Sequence, residues 1–92
     1  MPRGNPRLRT PDRKQNLVGL RVRNQRISLG LTQDALCARL AESTNGEWNP
    51  DRREIFRIED GIRTVIDVEI LALSASLQCS PCWLLIGDNK ED

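Results

Sequence analysis

Residues 26–36 read RISLGLTQDAL, a helix end and a helix start in eleven residues. Gly30 follows a run with helical spacing, and glycine takes the positive φ that closes a helix at little cost. Thr32 stands where its hydroxyl can accept a free amide of a new first turn, and Asp34 suits the positive field there. One helix therefore stops and a second starts within three residues. Upstream, Val18, Val22 and Leu29, with Leu20 and Ile27 offset by one position, carry the first helix in a pattern that begins at Gln15. Downstream, Ala35, Leu36, Leu40 and Cys37 supply the inner side of the second, which fades near Ser43.

Residues 43–50, STNGEWNP, are turn chemistry. Asp51 then caps a third helix, with Glu54 at capping-box spacing. Ile55 and Ile58 face inward there, Arg52, Arg53 and Arg57 take the other faces, and Gly61 closes it. Asp67 is expected to cap a fourth helix through Ile70, Leu71, Leu73, Ala75 and Leu77. Ser80-Pro81 opens a short fifth, since proline is best tolerated in a first turn, and Trp83 to Ile86 are its apolar content before Gly87. No segment alternates like a strand and none repeats. The expected architecture is all-α, with five short helices.

Composition agrees. Of 92 residues 38% are hydrophobic but only 3% aromatic, so the core must be aliphatic, which suits packed helices better than a sheet. Residues 1–14 carry Arg3, Arg7, Arg9, Arg13 and Lys14 against Asp12, and three prolines. They read as a basic flexible arm, 15–87 as the folded domain, and 88–92 as an acidic tail. Net charge is only +1, so charge argues for a nucleic-acid partner only through this asymmetry; two solvated ends would look the same. No apolar run is long enough for a membrane span, and three cysteines without a secretion signal point to the cytoplasm.

An enzyme is disfavoured: there is no histidine, and no carboxylate pair or glycine-rich loop at catalytic spacing. Cys79-Ser80-Pro81-Cys82 is a C-x-x-C without the second pair that zinc needs or the βαβ setting of a redox motif. Cys79 reads as small core filler and Cys82 as a first-turn residue, a redox switch being the alternative. Neither metal nor cofactor is expected.

Three motifs in order resemble the Cro/repressor-type, xenobiotic-response-element-like helix-turn-helix family: R-x-x-x-G-L-T-Q-x-x-L at Arg26 to Leu36, I-x-R-I-E-D-G at Ile55 to Gly61, and CSPCWLL at Cys79 to Leu85. The resemblance covers residues 17–87. It implies a lambda-repressor-like DNA-binding domain, here with a lengthened turn between helices two and three, because the family's usual turn is three or four residues. It also implies roles. Gln33 contacts a backbone phosphate at a helix N-terminus. Arg52, Arg53 and Arg57 occupy base-reading positions, where arginine can bond guanine O6 and N7 together. Arg63 and Thr64 face the DNA backbone, and Arg26 pairs with Glu59 to aim the third helix. Trp48 is expected to pack as a lid on helices two and three.

The function so implied is a sequence-specific transcriptional regulator, a repressor in the first instance. It would bind double-stranded DNA at a palindromic operator as a homodimer, joined through the last helix around Trp83. The alternative is an antitoxin-like interaction module that binds a toxin and represses its own operon.

Overall fold

The computed structural model describes residues 8–87. Its elements are α1 (Gly19–Ser28), α2 (Gln33–Ser43), α3 (Arg52–Glu59), α4 (Asp67–Leu77) and α5 (Pro81–Ile86), and the described residues contain no strand. The all-α, five-helix architecture is the one the sequence predicts. α2 packs on α3 and α4, α1 on the same two helices, and α5 on α4. Every helix sends residues to one core: Val22 from α1 with Val18 at its cap, Leu36 and Leu40, Ile55 and Ile58, Leu73 and Leu77, and Leu84. All nine are aliphatic and at most 1% exposed, as the scarcity of aromatics requires. Leu20, Ile27 and Leu71 belong to the apolar periodicity of the sequence, yet all three are exposed. They sit one position off the inward stripe of their helices.

The helix starts follow local chemistry. Thr32 Oγ1 accepts the Ala35 amide at 3.0 Å, and Ser80 Oγ accepts that of Trp83 at 2.9 Å with Pro81 in the first position. Asp51 Oδ1 accepts the Glu54 amide at 2.9 Å. The capping box expected with Glu54 does not close, because the Glu54 carboxylate is drawn instead to Arg63. Asp67 is the first residue of α4 rather than its cap: Ile66 holds the cap position, and Glu69 Oε1 accepts the Ile66 amide at 3.1 Å. α1 has a start that the apolar pattern does not reveal. Asn16 Oδ1 accepts the amides of Val18 and Gly19 at 3.0 and 2.8 Å, while Asn16 Nδ2 donates to the carbonyls of Ile58 and Arg63 at 3.1 and 2.8 Å. One side chain thus caps α1 and ties it to the end of α3.

Two glycines work as the sequence suggests. Gly30 closes α1 at φ +74°, and Gly61 closes α3 at φ +77°. Residues 1–7 of the basic arm and the acidic tail at 88–92 lie outside the described residues. Residues 10–14, read as the end of the arm, form a turn against the end of α3. The Gln15 amide donates to the Gly61 carbonyl at 2.8 Å and Lys14 Nζ to that of Asp60 at 3.1 Å.

Candidate nucleic-acid interface

α3 has two unlike sides. Ile55 and Ile58 are fully buried, while Arg52, Arg53, Phe56, Arg57 and Asp60 are exposed. The spacing produces this: residues 55 and 58 lie one turn apart on one stripe, and 52, 53, 56, 57 and 60 form the opposite one. Arg52 meets Asp34 at 3.9 Å with both side chains about 70% exposed, a pair that water and salt largely screen. Among the described residues neither Arg53 nor Arg57 has an ion pair. Three guanidinium groups on one helical face are therefore open to an external acceptor. Gln33, the first residue of α2, shares a cleft with Asp51, Arg52, Arg53 and Phe56. Thr64 is exposed in the loop after α3.

The far end of α3 is anchored by a buried ion pair. Arg26 Nε donates to Glu59 Oε2 at 2.6 Å and Arg26 Nη2 to Glu59 Oε1 at 3.0 Å, with side chains 11% and 4% exposed. This is the bidentate geometry of a planar guanidinium on a carboxylate. Arg26 Nη1 donates to the Leu31 carbonyl at 2.8 Å, and Gln33 Nε2 to Glu59 Oε1 at 3.1 Å. The pair thus gathers the end of α3, α1, the turn after it and the first residue of α2.

The near end has a second anchor that the sequence does not announce. Arg63 Nη2 donates to Glu54 Oε2 at 2.7 Å and to Glu69 Oε2 at 2.8 Å. Its Nη1 donates to Glu69 Oε1 and to the Thr64 carbonyl, and the group lies over the Trp48 ring, 5.9 Å from the centroid. Hydrogen bonding to Glu69 is the largest influence raising the Arg63 pKa, and the same bond holds Glu69 below the ordinary carboxylate range. Arg63 was expected to meet the DNA backbone. Its terminal nitrogens are instead occupied by two carboxylates, which leaves this guanidinium poorly suited to a phosphate. Trp48 is half-buried against the core and lines a cleft with residues at the end of α2 and on α4. The clue that could have found the clamp is the acid spacing: Glu54 and Glu69 lie on either side of Arg63.

Cys79 is partly buried, and burial pushes its thiol pKa up. Burial likewise raises that of Cys37. A protonated thiol is a poor nucleophile. Among the described residues no group of three histidine, cysteine or acidic residues could hold a metal ion.

No family model and no curated protein matches the chain. Among solved structures, the crystal structure of the P22 c2 repressor protein in complex with synthetic operator 9T in the presence of Tl+ superposes with a TM-score of 0.64 at 33% identity. The match covers 79% of this chain and 98% of that one. The chain belongs to the helix-turn-helix repressor-like family. As a Cro/C1-type helix-turn-helix domain it has α2 and α3 as its eponymous pair. The lengthened turn is real: residues 44–51 separate the two helices. Thr44 organises this turn, its hydroxyl donating to the Leu40 carbonyl at 2.8 Å and accepting the Trp48 amide at 2.9 Å. Asn45 and Gly46 follow at positive φ, where asparagine and glycine are tolerated best.

Proposed function

We propose that the chain is a sequence-specific DNA-binding repressor that lays α3 in the major groove. The observation that carries this is the exposed face of α3, with Arg52, Arg53 and Arg57 unspent, on a domain similar to an operator-bound repressor. In this reading the arginines divide between guanine edges and phosphates. Gln33, at the positive end of α2, and Thr64 meet the backbone. Arg63 takes no part and holds α3 in place. No catalytic step is assigned to the protein. No helix of the described residues is long and apolar enough to cross a membrane, and the proposed site of action is the DNA in the cytoplasm.

One helix reads few base pairs, so the repressor acts as a homodimer on a palindromic operator, with half-sites about 34–36 Å apart. Leu17, Leu20 and Ile86 are exposed beside the half-buried Trp83, and this patch supplies the dimer face. Sedimentation with a palindromic site should show two chains per duplex; one chain per duplex at saturation overturns the dimer. The antitoxin alternative draws on a separate face, the exposed Val68 and Leu71 of α4, and calls for co-purification with a toxin.

The deciding experiment is selection of bound sequences from random duplex DNA, with Arg52→Ala and Arg53→Ala beside the parent. The parent should converge on one site. At least one variant should relax its preference at a defined base pair, with a loss of about 1–3 kcal/mol there. An unchanged site in both variants moves the readout away from these arginines.

A further inference from the structure

Phe56 belongs neither to the aliphatic core nor to the residues packed against it. The chain has three aromatic residues, and two of them, Trp48 and Trp83, pack against the core. Phe56 is 52% exposed, although its neighbour Ile55 is fully buried. It stands on the outer stripe of α3, one turn beyond Arg52 and Arg53 and next to Arg57, at the edge of the cleft it shares with Gln33. An exposed phenylalanine among three arginines contributes little to helix propensity or to folding.

We infer that Phe56 is a specificity residue that reads a thymine through its 5-methyl group, an inference that rests on α3 being the reading helix. Phenylalanine can neither donate nor accept a hydrogen bond. Base edges in the major groove present donors and acceptors, with one apolar exception, the thymine methyl. A phenylalanine carried into the groove between base-reading arginines desolvates polar edges at a cost unless it meets that methyl. Phe56 therefore favours thymine over cytosine at one position per half-site. 5-Methylcytosine carries the same methyl in the same place, so methylation of a cytosine there restores binding.

The test uses the full chain and the site selected by the parent. Each thymine is replaced in turn by deoxyuridine, which removes only the methyl, and affinity is measured at fixed salt. One thymine per half-site should stand out, with a loss of about four-fold per methyl. In Phe56→Ala, checked for helix content by circular dichroism, the same replacement should cost nothing further. Cytosine at that position should weaken the parent, and 5-methylcytosine should recover most of the loss. Equal tolerance of deoxyuridine at every position overturns the inference, and so does unchanged deoxyuridine sensitivity in Phe56→Ala. In either of those cases a specific site would still stand. A parent that selects no DNA overturns the reading of the whole interface.

Discussion

Replacing Glu59 by alanine should be among the most damaging single changes on α3. Its carboxylate is 4% exposed and accepts from Arg26 Nε, Arg26 Nη2 and Gln33 Nε2. Truncation leaves a guanidinium that is 11% exposed, with only the Leu31 carbonyl as partner among the described residues. Stranding one member of a buried pair costs about 3–5 kcal/mol. A chain of this size has about 5–14 kcal/mol in total. At about 4–8 °C per kcal/mol, Tm should fall by at least about 12 °C. Thermal melting followed by circular dichroism, with urea midpoints at the same pH, measures this. The double variant Arg26→Met, Glu59→Leu removes both charges and refills the space, and it should recover much of the loss, since buried pairs contribute little net stability. It should still bind DNA more weakly than the parent, because the pair fixes where α3 points. A Glu59→Ala melt within about 3 °C of the parent refutes the reasoning, as does a double variant no more stable than the single one.

Gly19→Ala should destabilise by about 1–3 kcal/mol or more, because an added Cβ meets the Ile58 carbonyl oxygen, a backbone atom that cannot swing aside; a urea midpoint equal to the parent's counts against the close α1–α3 approach. Arg63→Ala should cost about 1–3 kcal/mol by urea unfolding, from the loss of charge-assisted bonds to Glu54 and Glu69. Because Glu69 is held below its ordinary pKa, its share of stability is present above about pH 4–5 and drains away as pH falls through the folded value. Glu69→Gln should flatten that part of the pH–stability profile, and an unaltered profile would show the clamp to be idle.

The sequence made the fold legible where one residue type does one thing. Gly30 and Gly61 end helices, Thr32, Asp51 and Ser80 start them, and Ile55 and Ile58 face inward, all by short-range rules. The Arg26–Glu59 pair was legible only through family resemblance, since the partners are far apart in sequence. One feature was hidden for the same reason. Asn16 caps α1 with its oxygen and reaches the end of α3 with its nitrogen, and a polar residue ahead of an apolar run gives no sign of the second contact. Arg63 looked like one more cation near the reading helix. What assigns it to Glu54 and Glu69 is the course of the loop between α3 and α4, which brings a carboxylate from each side of Arg63 onto one guanidinium. An apolar residue such as Phe56 does not reveal its outward position by type, and its exposure is evident only in the folded chain.

The turn at 44–51 carries a consequence for how such a protein can change. α3 is held at one end by Arg26 and at the other by Arg63, and neither residue belongs to the turn. The reading helix is thereby uncoupled from the length of the segment that leads into it. Doubling a flexible loop costs only about 0.6 kcal/mol in closure entropy. The tip at Asn45–Gly46–Glu47 is exposed, while Thr44, Trp48 and Pro50 keep the base of the turn closed. Residues added at that tip would leave α3 where it is, so a fluorophore or a second binding peptide can be grafted there without retuning the operator preference.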